Sequence, residues 1–401
     1  MVVDNKKSKK IPVIILNGFL GSGKTTLFRN LLNQSRKKNI NLCAIVNDMS
    51  ELDVDGQLIG NTELVEENSK IMKSIHSCVL SSDIGIIKLD EAINDLHLTQ
   101  DTKCLIIETS GSCHPLPIIK YFQTHENLKL TGLLALVDCF MMAHDFSYGE
   151  MLISNFKDNL ELNKRDTINL LVEQILFSSH VIFTKSDRIE TNKIKDIHDT
   201  VKKINPFTRM HTVVHGRLEL ESLLELQEYN YYRVERLIDE LEPLIKNIDR
   251  PYELVTRVIH DDRPFHPERF WNICQNYLDK TIYRSKGFFW MASRDRHALL
   301  WNQAGGDINL EIVGTWKQSV LEDQNNGLLD EEINALKNKI SKEKSRFGDR
   351  HCKLTVIGDI EKITQFSEKL NSCFLNEEEI KFWKKGGEFK DPWPKSIVNI
   401  N

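Results

Sequence analysis

Short apolar runs recur along the first half of the chain, and longer amphipathic segments separate them. The runs are rich in Ile, Val and Leu without regular polar alternation, which is typical of strands buried on both faces of a parallel sheet. Amphipathic segments such as 25–37 and 166–177 predict helices between the strands. We therefore expect a doubly wound α/β domain with a mostly parallel sheet. The predicted strands are 11–16, 42–46, 104–107, 133–137 and 180–183.

The pattern changes in the second half of the chain. Leucines at roughly helical spacing predict helix between 218 and 247, and the segments after 251 mix strand-like and helix-like patterns. We therefore predict a first domain over 1–220, a helical linker over 221–250 and a smaller α+β domain over 251–401. In this last domain the predicted strands are 252–259, 281–292 and 353–358, and the predicted helices are 264–278 and 331–346.

Composition and charge exclude several classes of protein. The chain has 401 residues, of which 40% are hydrophobic, and a net charge of −5, so no bulk electrostatic feature favours nucleic acid or an anionic membrane. No run approaches the roughly 18–20 apolar residues that cross a bilayer. The 8 cysteines are scattered, and we find no C-x-x-C pair, which fits a reducing compartment rather than a disulfide framework. We expect a cytoplasmic protein with neither nucleic-acid nor membrane partners.

The segment from Gly18 to Thr25 fits the pattern G-x-x-x-x-G-K-[ST], and it lies between a predicted strand and a predicted helix. Glycines allow the backbone to turn its N–H groups onto phosphate oxygens, and the following helix directs its positive end at the same anion. Lys24 supplies a positive charge for the β- and γ-phosphates, and Thr25 offers a hydroxyl to Mg²⁺. The predicted phosphate-binding residues are Gly18, Gly21, Ser22, Gly23, Lys24, Thr25 and Thr26.

A second candidate element follows the strand at 104–107, where Glu108 precedes the small residues 109–111. A carboxylate at this strand end can meet Mg²⁺ directly or through water, or orient an attacking water molecule. Gly111 can approach the γ-phosphate with its backbone N–H. We therefore predict that Thr25 and Glu108 hold Mg²⁺, and that Lys24 and Glu108 are catalytic.

The sequence Thr-Lys-Ser-Asp at 184–187 fits the guanine-recognition pattern [NT]-K-x-D. The carboxylate of Asp187 can accept hydrogen bonds from the guanine ring N–H and exocyclic amine, while the stem of Lys185 stacks on the ring. Adenine lacks that pair of donors, and an unpaired buried carboxylate is costly. Lys185 and Asp187 therefore predict a preference for GTP.

The polar residues 47–51 follow the second predicted strand and could close over Mg²⁺ and the γ-phosphate as a switch loop. Asp48 and Glu51 are then candidates for metal binding or for orienting water, and we include both among the predicted catalytic residues. The alternative is an ordinary exposed loop, and the residues alone do not decide between the two.

The order of these elements resembles that of the CobW-type GTPases, a family linked to metal delivery and metalloprotein maturation. The resemblance is closest to the bacterial branch associated with zinc limitation. It implies GTP and Mg²⁺ as cofactors, zinc or cobalt as cargo and a metalloprotein client, and it allows an oligomer. The motifs that carry the resemblance are 18–25, 46–51, 108–111 and 184–187 in the first half and 263–270, 284–290, 301–306 and 391–394 in the second.

One segment departs from the family pattern. The family usually carries C-x-C-C before the Glu-Thr-Ser-Gly strand, whereas the corresponding residues 78–81 here read Cys-Val-Leu-Ser. Cys78, Cys113 and His114, with His76 as a further candidate, could instead converge on a transition metal such as Zn²⁺. The alternative is that Cys113 is a small buried hydrophobe and His114 a loop residue.

Three functions remain open at this stage. The first is a Mg²⁺-dependent GTPase that acts as a metallochaperone or matures a metalloprotein. The second is a nucleotide-gated regulatory protein that has lost metal transfer together with its thiols. The third is a small-molecule kinase, which would share the phosphate loop but would not need the Lys185 and Asp187 pair.

Overall fold

The computed structural model describes residues 10–48, 71–76, 78–162, 164–241, 254–278, 281–304, 307–323, 329–341, 345–394 and 398–399. The chain divides into two compact units, Met1–Glu253 and Leu254–Asn401. In the described residues the first unit is an α/β unit with a parallel sheet, and the second is an α+β unit with a largely antiparallel sheet. The predicted fold class is therefore confirmed.

In its described residues the first unit contains a seven-stranded sheet in the order β3-β2-β4-β1-β5-β6-β7, and every neighbouring pair in it is parallel. The chain leaves β1 toward one side to build β2, β3 and β4, and then crosses to β5 on the other side. The strand order therefore reverses at β1, and ligands of such sheets bind at the carboxyl ends of strands beside this reversal. The strands are β1 Ile11–Gly18, β2 Leu42–Asp48, β3 Met72–His76, β4 Cys104–Glu108, β5 Leu128–Asp138, β6 His180–Thr184 and β7 Arg209–Thr212.

Helices cover both faces of this sheet. Alternate residues of β1 enter opposite cores, because Val13 and Ile15 pack in one cluster and Ile14 and Leu16 in the other. This burial on both faces explains the unbroken apolar run in the sequence. The helices are α1 Lys24–Lys37, α2 Asp83–Asn94, α3 Pro115–Thr124, α4 Cys139–His144, α5 Leu152–Glu161, α6 Thr167–Leu176, α7 Thr191–Ile204, α8 Leu220–Leu224 and α9 Tyr231–Leu241.

The five strands predicted in the first half are all present, whereas β3 and β7 were not predicted. Both are edge strands, and most of their residues remain partly or fully exposed. An edge strand needs no continuous apolar run, so its sequence carries a weaker signal.

The segment predicted as a helical linker contains α8 and α9 in its described part. Leu223 of α8 is buried in one core of the first unit, and Val234 of α9 is buried in the other. Tyr229, between these helices, donates its backbone N–H to the carbonyl of Leu130 in β5 at 2.9 Å. These helices therefore pack as part of the first unit.

The described residues of the second unit form a six-stranded sheet in the order β13-β11-β10-β9-β12-β8, antiparallel except between β11 and β13. Its core is aromatic and includes Phe289, Trp290 and Trp301, all almost fully buried. The strands are β8 Leu254–Asp261, β9 Ile282–Phe289, β10 His297–Ala304, β11 Asp307–Thr315, β12 Cys352–Asp359 and β13 Val398–Asn399. The helices are α10 Pro267–Tyr277, α11 Lys317–Glu322, α12 Asp330–Ile340, α13 Ile360–Asn371 and α14 Glu377–Lys384.

All eight cysteines lie within the described residues and are free thiols, which agrees with the expectation of no disulfide framework. None of the described helices is both long and apolar enough to span a bilayer.

Candidate nucleotide-binding site

The loop between β1 and α1 requires glycine at several positions. Gly18, Gly21 and Gly23 have φ values of 139°, 76° and 91°, a region that side-chain-bearing residues rarely adopt. At Gly18 a Cβ atom would also lie 2.5 Å from the carbonyl oxygen of Leu136. The loop can therefore bring its backbone N–H groups close to a ligand at the end of β1.

The amino end of α1 suits an anion. Within the described chain, no side chain caps this helix end, and the first turn contains no acidic residue. Its first N–H groups and the positive end of the helix dipole are thus available to a phosphate. Ser22 is buried, and its hydroxyl oxygen has no hydrogen-bond partner among the described residues. A phosphate oxygen at the loop would satisfy such a buried hydroxyl.

Lys24 is held across the same loop. Its Nζ donates hydrogen bonds to the carbonyl oxygens of Gly18 at 2.7 Å and Phe19 at 2.9 Å, and the residue is only 5% exposed. The ammonium group is therefore fixed inside the loop, where it can stabilise the charge of a polyphosphate. Thr26, also predicted to bind phosphate, is exposed in the first turn of α1.

The two predicted magnesium ligands are in direct contact. Thr25 Oγ1 donates a hydrogen bond to Glu108 Oε1 at 2.6 Å, although 83 residues separate them. The parallel pairing of β1 with β4 places Glu108 opposite Leu16, two residues before the loop begins. A hydroxyl and a carboxylate are hard oxygen donors of the kind that Mg²⁺ takes beside a substrate phosphate. These residues therefore fit a magnesium ion, which Thr25 and Glu108 would hold.

The turn after Glu108 packs against the phosphate loop. Thr109 donates its backbone N–H to the carbonyl of Leu16 at 3.0 Å. A Cβ atom at Gly111 would lie 2.4 Å from Leu20 Cδ2 and 2.7 Å from Leu20 Cα. Only glycine allows this approach, so the 109–111 turn and the phosphate loop are in close contact.

Asn47 connects three segments at the ends of neighbouring strands, and sequence reasoning did not single it out. Its amide nitrogen donates to the carbonyls of Ile75 at 3.2 Å and Cys78 at 2.8 Å, and its amide oxygen accepts the N–H of Ser110 at 3.2 Å. The side chain is buried at the end of β2. No local sequence pattern identifies it, because its partners lie 28, 31 and 63 residues away on neighbouring strands or the turns that follow them.

Helix α6 contacts the turn that contains Gly111 and Cys113, and sequence reasoning did not identify this contact either. The Gln174 amide nitrogen donates to the carbonyls of Gly111 and Cys113, each at 3.2 Å. On the same helix, Glu173 lies 2.9 Å from His114 Nε2 and 2.5 Å from an Arg165 nitrogen. Since Glu173 and Gln174 are both 2% exposed, they are polar positions on a buried face, and such groups need partners.

The guanine-recognition motif at 184–187 is hydrogen-bonded to the phosphate loop. Thr184 Oγ1 at the end of β6 donates to the carbonyl of Ser22 at 2.8 Å. Lys185 has a left-handed backbone (φ 52°), and its Nζ lies 2.8 Å from Asp138 Oδ2. Asp187 is exposed in the turn that follows, where its carboxylate is available to a base.

The segment at 78–81 packs through groups that do not bind metal. Leu80 is fully buried in the core that also contains Cys113. Ser81 Oγ accepts the backbone N–H of His114 at 3.1 Å. The two positions where the family pattern has further thiols therefore hold an apolar side chain and a hydroxyl that orders the 113–114 turn.

The predicted transition-metal cluster is not formed in the described part of the chain, where no group of three or more His, Cys, Asp or Glu side chains is arranged to hold a metal ion. Burial raises the pKa of the Cys113 thiol to about 12, which opposes the thiolate that metals bind. His114 Nε2 faces Glu173 instead. Cys78 is half-buried, and burial also raises its pKa. The described geometry does not support the prediction for Cys78, Cys113 and His114, which stays a prediction.

Two predicted catalytic residues stay predictions. The backbone of Asp48 ends β2 and pairs with His76, and Glu51 lies outside the described residues. The switch role of the 47–51 segment stays a prediction as well.

Both halves of the chain match known families. Residues 12–212 match the CobW/HypB/UreG nucleotide-binding domain, and residues 254–374 match the cobalamin synthesis protein cobW C-terminal domain. The second match begins where the second structural unit begins.

Two curated relatives extend over most of the chain. The zinc-regulated GTPase metalloprotein activator 1 of Dictyostelium discoideum is 28% identical over 394 residues, which cover 93% of this chain and 81% of that protein. The zinc chaperone YjiA of Escherichia coli is 28% identical over 295 residues, which cover 70% of this chain and 82% of that protein.

Proposed function

The chain belongs to the family defined by the CobW/HypB/UreG nucleotide-binding domain, and from that premise we propose that it is a Mg²⁺-dependent GTPase that delivers a metal ion, zinc foremost, to a metalloprotein client. The observation that carries the proposal is the 2.6 Å contact between Thr25 and Glu108 beside the phosphate loop. This contact supports a magnesium site beside the loop, because a hydroxyl oxygen and a carboxylate oxygen meet there. Cobalt is the alternative cargo.

Each part of the loop has a distinct task in this proposal. Backbone N–H groups of the Gly18–Lys24 loop bind the phosphates, and the Lys24 ammonium neutralises their charge. Thr25 and Glu108 would hold Mg²⁺, and the bound ion would supply positive charge to the transferring phosphoryl group. Gly111 brings backbone within reach of the γ-phosphate because no side chain separates the turn from the loop.

The base end of the site supports GTP over ATP. Asp187 is exposed beside the turn that Lys185 begins, and Thr184 fixes this segment to the phosphate loop. A carboxylate that accepts both guanine donors discriminates against adenine. A small-molecule kinase would not need this arrangement.

The metal cargo is proposed from the names of relatives, a zinc chaperone and a zinc-regulated activator of metalloproteins. The client would be a metalloprotein that receives the ion when the nucleotide state changes. The bacterial branch stays a prediction, since the relatives from Dictyostelium and from E. coli are equally similar in identity.

The surroundings of Cys78 favour a second candidate function. Leu80 is buried and His114 faces Glu173, so the described residues near Cys78 offer no preformed transition-metal site. The chain would then be a nucleotide-gated regulator that binds a partner without carrying metal.

Two measurements on the full-length protein separate these candidates. GTP hydrolysis should require Mg²⁺ and disappear in Lys24→Ala, whereas circular dichroism should show an unchanged fold. Zinc titration against a competing chelator should then show one tightly bound ion if the chain delivers metal. Hydrolysis without zinc binding would favour the regulator, and ATP hydrolysed faster than GTP would contradict both.

A further inference from the structure

Asp138 stands at the carboxyl end of β5, beside the base end of the site, and nothing in the sequence motifs assigns it a role. Its Oδ1 accepts the backbone N–H of Phe140 at 2.9 Å and of Met141 at 3.1 Å, which caps α4. The side chain is only 5% exposed. Its carboxylate is therefore fixed in position by the start of the helix.

The second oxygen of this carboxylate has a different partner. Asp138 Oδ2 lies 2.8 Å from Lys185 Nζ, and the parallel pairing of β5 with β6 places Asp138 opposite Thr184. A lysine side chain has several rotatable bonds and loses much freedom when it is ordered. The fixed carboxylate orders Lys185 before any nucleotide binds.

We propose that Asp138 is a positioning residue for base selectivity: it holds the Lys185 ammonium so that the hydrocarbon stem forms a platform for guanine beside Asp187. This inference rests on the proposed role of Lys185 and Asp187 in guanine recognition. Asp138 itself need not touch the nucleotide, because it acts through the orientation of Lys185. It therefore contributes to the choice between guanine and adenine rather than to phosphate binding.

The two roles of Asp138 can be separated by substitution. Asparagine caps helices about as well as aspartate does, so Asp138→Asn keeps an acceptor for Phe140 and Met141. It removes the negative charge that faces Lys185. Asp138→Ser offers a second capping side chain of different shape, should the first variant fail to fold.

Asp166 provides a matched control in the same unit. It caps α6 through the backbone N–H groups of Ile168 at 2.8 Å and Asn169 at 3.4 Å, and it lies 3.4 Å from Lys164 Nζ. Asp166→Asn therefore removes the same kind of charge from the same kind of cap, at a helix that contains neither Lys185 nor Asp187.

The experiment measures dissociation constants for GTP and ATP in the presence of Mg²⁺, by calorimetry on the full-length protein and its variants. In Asp138→Asn the preference for GTP over ATP should fall about tenfold, in line with the loss of one charge-assisted hydrogen bond, while ATP affinity changes little. Asp166→Asn should leave the preference unchanged. All variants are measured at the same near-neutral pH.

A double-mutant cycle distinguishes positioning from a structural effect. If Asp138 acts through Lys185, the variant with both Asp138→Asn and Lys185→Met should lose no more selectivity than Lys185→Met alone. Full selectivity in Asp138→Asn, or losses that add, would overturn the inference. A wild-type protein without any guanine preference would instead remove the proposed base recognition, and the inference with it.

Discussion

Glu173 and Arg165 form a buried ion pair, and this pair allows a quantitative prediction for Glu173→Gln. Glu173 is 2% exposed, and its Oε2 lies 2.5 Å from Arg165 and 2.9 Å from His114 Nε2. The substitution leaves the guanidinium of Arg165, itself 5% exposed, without this carboxylate. Removing one partner of a buried pair costs about 3–5 kcal/mol, because the remaining charge stays desolvated.

That cost should be visible as a loss of thermal stability. For a domain of this size the midpoint falls by roughly 2–4 °C per kcal/mol, which gives a decrease of roughly 6–20 °C. Far-UV circular dichroism should follow the helices of both units, whereas tryptophan fluorescence follows the second unit, where all six tryptophans lie. Comparison of the two signals identifies the unit that lost stability.

The control is Glu219→Gln, which disrupts an exposed pair. Glu219 is 77% exposed and lies 3.2 Å from Lys38 Nζ, so solvent and salt screen the interaction. Its midpoint should match that of the wild type. An unchanged midpoint in Glu173→Gln would refute the reasoning, since the carboxylate would then not be needed to stabilise Arg165.

Three further predictions follow from close contact and from burial. Gly111→Ala forces Leu20 to move and should weaken GTP binding about tenfold or more, whereas Gly314→Ala, with open space around its position, should not; calorimetry on both variants decides. Cys78 should react with iodoacetamide under native conditions while Cys113 does not, as mass spectrometry of labelled peptides can show. The folded state raises the pKa of the Cys113 thiol from 9 to about 12, so the unfolded chain loses this proton at a lower pH than the folded protein does. The thiol's contribution to stability is therefore present below pH 9 and is lost as the pH rises toward 12. A contribution that increased over this range would contradict the raised pKa.

Local sequence signals were enough for much of the fold and for the phosphate loop. Strands buried on both faces must be continuously apolar, and a phosphate-binding turn must contain glycine at fixed positions such as Gly18 and Gly23. The contact between Thr25 and Glu108 could also be anticipated, because the ends of neighbouring parallel strands meet at one edge.

Local sequence signals do not identify side chains whose role is to position other groups. Asn47, Asp138 and Gln174 hold backbone or charged groups from distant parts of the chain, and their partners are set by tertiary packing. The contact of His114 with Glu173 could not be anticipated for the same reason. Its partner, Glu173, is 59 residues away, and local spacing says nothing about it.

The most direct test of the central claim is calorimetric titration of GTP into the full-length protein, with and without Mg²⁺, for the wild type and for Glu108→Gln. We predict binding of one GTP per chain that Mg²⁺ strengthens in the wild type, with most of that strengthening lost in Glu108→Gln. If GTP at millimolar concentration gave no binding heat with Mg²⁺ present, or if Mg²⁺ strengthened binding equally in Glu108→Gln, the proposed site would be contradicted.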